Sequence, residues 1–274
     1  MKKRGRVLLG IALWCLAFVH IYPLALILIS ALKHPESMYD NPGGLPKVIT
    51  LENFRLVINR MHYGRSLFNT FLITFFSVFF TVILTAMAAY AIQRQWKHKM
   101  FRGLYLLFMA GLIVPFQMTM IPLFKMMSLF RLFNTYQGMV LVNIALGAPF
   151  STFVFTGFVS GIPKELEEAA YVDGAGIYRT FFQIVLPVMK PAAATVVIIN
   201  SFNFWNDFLP PMLFLTKTQM QTLVPRLASY IGEYSTNWSA IFAGVFLIVY
   251  PVLILYILMQ KYIIKGMTAG AVKG

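Results

Sequence analysis

Six stretches of this chain are almost devoid of charge and long enough to cross the ~30 Å hydrocarbon core of a bilayer. They are Val7–Leu32, Leu67–Ile92, Gly103–Phe124, Gly138–Ser160, Ala192–Leu215 and Ala240–Gln260, and the charged residue they contain is Asp207. The pattern predicts an all-α polytopic membrane protein with six transmembrane helices. The first run is too long for a signal-peptide core of about 7–15 residues and ends without an A-x-A site, so it reads as a retained span. One polar interruption differs from the others. Gly161–Pro191, between the fourth and fifth spans, holds Glu165, Glu167, Glu168 and Asp173, four of the nine carboxylates.

Within that interruption the spacing predicts a helix–turn–helix knob. Pro163 suits the first turn of a helix, where its missing N–H costs nothing. Glu165, Glu167 and Glu168 follow where the helix dipole favours carboxylates. Leu166, Ala169, Ala170 and Asp173 share a face at i, i+3, i+4, i+7, and the two alanines leave room for close approach of a partner. Gly174 supplies a positive φ that ends the helix, and Gly176 loosens the start of the next. Ile177, Tyr178, Phe181, Phe182, Ile184 and Val185 give a second amphipathic helix, stopped by Leu186-Pro187, with Pro191 opening the fifth span. On spacing alone the knob fits either a docking device or a surface hairpin covering the end of a bundle.

The composition agrees with a membrane protein: 59% of the 274 residues are hydrophobic and 12% are charged. Net charge is +14. The basic residues sit at the ends of apolar runs and form no continuous basic face, which argues against nucleic acid as a partner. They also orient the spans. Lys2, Lys3, Arg4 and Arg6 precede the first span. Arg94, Lys97, Lys99 and Arg102 crowd the second connection. Lys164, Arg179 and Lys190 lie in the knob, and Lys261, Lys265 and Lys273 follow the last span. More than half of the 23 basic residues thus fall on one side, which predicts cytoplasmic N- and C-termini and a cytoplasmic knob.

On the other side lie Lys33–Ser66, where Leu51–Ile58 has a helical apolar pattern suited to a membrane surface, and Lys217–Ser239, in which Gln221–Arg226 and Tyr230–Trp238 read as mostly polar and turn-rich. Cys15 is the single cysteine and His20, His34, His62 and His98 are scattered. No metal-ligand spacing or glycine-rich phosphate loop is present. Nor is there a paired-carboxylate or nucleophile–base set within the spans.

The string Glu168-Ala-Ala-Tyr-Val-Asp-Gly-Ala175, followed by Ile184-x-Leu186-Pro187 and Pro191, resembles the EAA loop of bacterial ABC-importer permeases. The tail Lys265-Gly-Met-Thr-Ala-Gly-Ala-Val-Lys-Gly274 is similar to that of the six-span, maltose-type sugar permeases. Ser30-Ala-Leu-Lys33, Ala88-Ala-Tyr-Ala and Phe204–Pro210 point the same way. Met267 stands where that family is expected to carry Leu, a tolerated apolar exchange.

The resemblance implies one permease domain over residues 1–274, with a core at 65–262, the coupling loop at 161–191 and a cytoplasmic tail at 263–274. It assigns coupling to an ATPase to Glu168, Ala169, Ala170, Asp173, Gly174 and Ala175. It implies a non-catalytic, multi-pass subunit of the bacterial inner membrane that carries no cofactor, ATP and Mg being bound by a cytoplasmic ATPase dimer. The other implied partners are a second, homologous permease and an extracytoplasmic sugar-binding protein, and the implied cargo is a di- or oligosaccharide.

Inside the spans, Asn200, Asn203 and Asp207 share a helical face with Asn206 beside it. Membrane-embedded polar groups face a cavity or a neighbouring helix. Asn203, Asn206 and Asp207 can hydrogen-bond sugar hydroxyls and Trp205 can stack on a sugar face. Interhelical bonding fits Asn200, Asn203 and Asn206 as well, and a capping or pairing role beside Pro210-Pro211 fits Asp207. In the third span Pro115 and Pro122 predict kinks or a broken helix, and Gln117 is a candidate pathway residue. Gly138, Gly147 and Ser151 suit close helix packing. Two readings compete with a sugar importer: a stand-alone secondary carrier using Asp207 as a proton or cation site, and an ABC permease for a non-sugar solute.

Overall fold

The computed structural model describes residues 3–233 and 237–271, and among these every regular element is helical. In chain order they are α1 (Lys3–Ala31), α2 (Pro35–Asp40), α3 (Glu52–Arg60), α4 (Tyr63–Arg94), α5 (Lys99–Ile113), α6 (Phe116–Leu129), α7 (Tyr136–Val159), α8 (Glu165–Val172), α9 (Ile177–Thr180), α10 (Leu186–Val188), α11 (Lys190–Trp205), α12 (Leu209–Phe214), α13 (Leu223–Glu233) and α14 (Trp238–Ala271). A π-helical turn, Phe181–Val185, joins α9 to α10.

By length and apolarity α1, α4 and α7 can each cross a bilayer, and up to five spans result if each of two bent pairs is one span. The sixth predicted span falls in α14, whose apolar stretch Trp238–Ile254 is shorter. The third and fifth predicted spans are therefore not single straight helices. Pro115 disfavours helical backbone at the residue before it, so Val114 and Pro115 are extended, and α5 and α6 meet at 110°. The fifth span stops at Trp205. Asn206 follows, and its Nδ2 donates to the Phe202 carbonyl at 2.9 Å. α12 then opens with Pro210 in its first turn, a position that needs no N–H. At the other end of α11 the knob segment Ile177–Val188 joins at 75°.

The chain forms two compact units. The first runs through Leu67 and includes Leu223–Leu253. Here Lys33 is fully buried and its Nζ donates to the carbonyls of Asn41 (2.6 Å) and Pro42 (2.8 Å). Asn53, on α3, donates to Ala31 O (2.8 Å) and Lys33 O (2.7 Å). The two Asn53 bonds satisfy carbonyls at and just beyond the end of α1 that would otherwise be left open. α3 forms where its apolar pattern predicts, with Asn53 and Val57 inward and Leu56 and Ile58 exposed. The expectation that Gln221–Arg226 and Tyr230–Trp238 are turn-rich is corrected. Leu223, Leu227 and Tyr230 recur at helical spacing and are buried, so this stretch forms α13; residues 234–236 lie outside the described set.

The second unit comprises Phe68–Thr222 with the residues from Ile254 onward. Its interior carries a polar seam. Thr74, Ser77, Thr81 and Thr85 of α4 are buried, as are Asn143, Ser151, Thr152 and Thr156 of α7 and Asn200 of α11. Asn143 donates to Ser77 Oγ at 3.1 Å, and Asn200 to Ser151 Oγ at 2.9 Å and Val196 O at 3.0 Å. The two that join different helices, to Ser77 and Ser151, contribute roughly 0.6 kcal/mol each. Gly147 allows the close approach. A Cβ there would stand 2.8 Å from Asn200 Oδ1 and 2.9 Å from Phe204 Cζ. Towards the knob the seam gives way to an apolar core of Ala86, Ala89, Phe155, Val159, Val185 and Met189.

Gly147→Ala should therefore lower the melting temperature of the detergent-solubilised protein by several degrees, since overpacking costs about 1–3 kcal/mol. Gly157→Ala, on the same helix with open space around the new methyl, should leave it unchanged or slightly raised. Equal melting temperatures for the two variants would contradict the close packing at Gly147.

Candidate functional site

The knob forms where its sequence predicts, with two changes: one in facing, and one in the second helix, which is not stopped at Leu186-Pro187 but runs through the π-helical turn to Val188, Pro187 sitting in the first turn of α10 where it needs no N–H. Pro163 precedes α8, and Glu165, Glu167 and Glu168 occupy the first turn, where the dipole favours them. Glu167 and Ala170 are buried, whereas Leu166, Glu168, Ala169 and Asp173 are exposed. The four residues expected on one outer face are thus divided: Ala170 turns inward, because it and Glu167, three residues apart, make the packing stripe.

The end of α8 is a Schellman turn. Gly174 N–H donates to Tyr171 O at 3.0 Å and Ala175 N–H to Ala170 O at 2.9 Å, and Gly174 has φ +77°. The outer surface of the knob is mixed. Beside the carboxylates Glu168 and Asp173 it exposes Val172 (87% accessible), Ile177, Tyr178 and Phe182. Beneath, Phe181 and Val185 are buried, and the rings of Phe181 and Tyr90 lie 5.4 Å apart.

Glu167 is the best-satisfied carboxylate in the knob. Its Oε2 accepts from Tyr90 Oη at 2.7 Å, and its Oε1 accepts from Arg94 Nε at 2.7 Å. Arg94 Nη2 also pairs with Oε1, and donates to Ile162 O at 3.1 Å. The last turn of α4, the residues after α7 and the first turn of α8 thereby meet at one guanidinium. Removing one member of such a buried pair is far more damaging, at about 3–5 kcal/mol, than replacing both together.

The candidate pathway residues separate into two groups. Asn203, Asn206 and Asp207 line a cavity of about 510 Å³ together with Asn200, Gly147 and Phe150, a size within the range of small-ligand sites. Trp205 is buried and is not among the residues lining it, and Gln117 lies exposed on α6, also outside it. Asn200 is held by Ser151, which fits its interhelical role and leaves Asn203 and Asn206 as the exposed amides of the cavity. Among the described residues no group of three or more His, Cys, Asp or Glu side chains is placed to hold a metal ion.

A family model described as the binding-protein-dependent transport system inner membrane component matches residues 59–269. The chain belongs to this family. It is 35% identical, over 94% of its length and 93% of the relative's, to the melibiose/raffinose/stachyose import permease protein MelC of Bacillus subtilis. It is 32% identical, over 100% of its length and 98% of the relative's, to the probable starch degradation products transport system permease protein AmyC of Thermoanaerobacterium thermosulfurigenes. In fold it matches a chain of the crystal structure of a bacterial ABC transporter involved in the import of the acidic polysaccharide alginate. That match has a TM-score of 0.78 and covers 96% of this chain and 98% of that one, at 21% identity.

Sequence reasoning missed three residues at this family member's knob: Tyr90, Arg94 and Glu167. Arg94 entered only as a topological charge and Glu167 only as one of three first-turn acids. The available signal was the i, i+4 spacing of Tyr90 and Arg94, which puts a phenol and a guanidinium on one face at the end of a span. The seam on α4 was also legible, as hydroxyls recurring at Thr74, Ser77, Thr81 and Thr85.

Gly174→Ala places a side chain at positive φ, which costs roughly 1–2 kcal/mol. Amide exchange at residues 174 and 175 should accelerate about tenfold or more, a 1.4 kcal/mol change, while exchange in α7 stays as it was. Unchanged protection at these two amides would contradict the Schellman assignment.

Proposed function

We propose that this chain is one permease half of an ATP-driven, binding-protein-dependent importer of di- or oligosaccharides. The observation that carries the reading is the outward surface of the knob. Glu168, Ala169 and Asp173 stand exposed beside Val172, Ile177 and Tyr178 on a helix pair braced from beneath. A lone carrier has no need of a rigid, amphipathic projection in water. A docking helix that transmits force does, and an exposed acidic and apolar patch suits a soluble partner.

In this reading the chain crosses the membrane six times, α5 with α6, α11 with α12, and α14 supplying the third, fifth and sixth spans. Both termini and the knob face the cytoplasm, as the positive-inside distribution requires. Residues 1–274 form one permease domain whose core is 65–262; the tail at 263–274 extends beyond it, and residues 272–274 lie outside the described set. An ATPase dimer binds ATP and Mg, receives Glu168, Ala169, Asp173, Gly174 and Ala175, with Ala170 packed beneath them, and on closing moves the knob. A second, homologous permease completes the pathway, and a binding protein delivers the sugar to the outer surface, including Lys33–Ser66 and Lys217–Ser239. The permease itself catalyses no reaction. The sugar class is supported by the import permeases to which the chain is similar along nearly its whole length. Asn203, Asn206 and Asp207 are the residues through which this subunit touches cargo, since their oxygens and amide N–H groups match sugar hydroxyls.

Glu168→Lys should reduce uptake of radiolabelled melibiose, raffinose and maltooligosaccharides by about tenfold or more, equivalent to at least 1.4 kcal/mol of docking, with normal membrane insertion. Wild-type uptake by this variant would refute the docking surface.

Asn203→Ala and Asn206→Ala should raise the KM of uptake for the same sugars while the ATPase still co-purifies at wild-type yield. Unaltered kinetics in both would return these asparagines to helix packing.

A further inference from the structure

The two adjacent glutamates of α8 have opposite surroundings. Glu168 is exposed, whereas the side chain of Glu167 is 8% accessible and both of its oxygens are engaged. Both donors, Tyr90 and Arg94, come from the last turns of α4. Arg94 also donates to the carbonyl of Ile162, in the link between α7 and α8. α8 is eight residues long and its first turn carries these contacts. Glu167 is therefore the point at which α8 is bonded to α4.

The geometry points to Glu167, Arg94 and Tyr90 as a strut that makes the knob and the end of α4 move as one body, so that displacement of the knob is delivered to α4. This rests on the docking reading above and extends it, because it names where the motion enters the membrane. Three features favour a strut over a purely structural bond. The contact is charged, and charge-assisted bonds to a fork-shaped guanidinium fix direction as well as distance. Glu167 is buried and Arg94 largely so, which weakens competition from water. The strut also runs directly into the helix whose further turns carry Thr85, Thr81, Ser77 and Thr74 of the polar seam. Thr81, Thr74 and Thr152 each have a buried hydroxyl oxygen with no hydrogen-bond partner. Helices in such a seam can exchange partners by small shifts, as two-state packed interfaces do. Glu167, Arg94 and Tyr90 are positioning residues here, acting through the knob and through α4.

The test uses the complex purified with its native partner subunits in lipid nanodiscs. Spin labels are placed at Glu165→Cys, at the exposed start of α8, and Phe79→Cys, on the exposed side of α4, in a Cys15→Ser background. Their distance distribution is measured without nucleotide and after trapping with ATP and vanadate. With the strut intact the distribution should keep one peak, displaced by less than about 1 Å between the two conditions, although the complex as a whole responds to trapping. With Glu167→Gln or Arg94→Gln the peak should shift by about 2 Å or more, or split, on trapping. Arg94→Lys, which keeps the cation, should retain much of the single peak. The double variant should behave like either single one, since both remove the same contact.

A merely structural pair would lower the yield of the complex and leave the nucleotide response of this distance unchanged. An unchanged distance in Glu167→Gln, in complexes that still hydrolyse ATP, overturns the strut and leaves the docking surface standing. A distance that already shifts with the strut intact overturns it too. If no ATP-hydrolysing subunit accompanies the chain, the docking reading fails and the strut fails with it.

Discussion

A carboxylate taken out of water must be met by donors or it will not remain ionised. In this protein Glu167 meets that demand with Arg94 and Tyr90, and the consequence is architectural. The guanidinium that satisfies Glu167 also caps the link after α7 through Ile162 O. One cation thereby fixes the end of a long apolar helix, the exit of another and the entry of the knob. The alternation of burial along α8 follows from it. Once Glu167 and Ala170 face inward, Glu168, Ala169 and Asp173 are left on the outside, and the outer surface becomes available to a partner.

The hydrocarbon environment sets a second condition, that helices may break only where the freed backbone groups find partners. The breaks obey it. At Val114–Pro115 the proline has no N–H to satisfy. At Asn206 the side chain donates to a carbonyl of the last turn of α11, and Pro210 and Pro211 open the helix beyond. The second break leaves Asn203, Asn206 and Asp207 around a cavity, so the interruption that a continuous span would lack is what collects the polar groups. Membrane transporters place binding groups at such discontinuities. The seam of hydroxyls and amides joining α4, α7 and α11 lies beside the same cavity through Gly147 and Asn200, both of which line it.

Much of this was legible in the sequence because its determinants are local. The glycine of the Schellman turn, the proline before α8 and the first-turn glutamates state the knob outright, and positive φ at Gly174 follows from the absence of a Cβ. The apolar runs located α1, α4 and α7, whose length alone decides their class. The straightness of the third and fifth spans was not legible. A run of apolar residues looks the same whether a proline kinks a helix or ends it, and at Pro115 the preceding valine goes extended while Pro122 stays inside α6. α13 was missed because Pro225, Arg226 and Ser229 interrupt the stretch in which Leu223, Leu227 and Tyr230 recur at helical spacing. Which of two neighbouring glutamates turns inward depends on Arg94, more than seventy residues away, and no local pattern carries that information. Trp205 shows the same limit: its aromatic ring suits a sugar face, but the packing of α11 buries it.

Whether the exposed side of the knob couples this chain to ATP decides how transport is driven. The most direct measurement is uptake of labelled melibiose and maltooligosaccharides into proteoliposomes containing the chain with the subunits that co-purify from its own membranes. Uptake that requires ATP on the knob side and persists when ionophores collapse every ion gradient is the predicted result. Uptake by the single polypeptide, without ATP and abolished by ionophores, would contradict it and make Asp207 the energising site of a carrier.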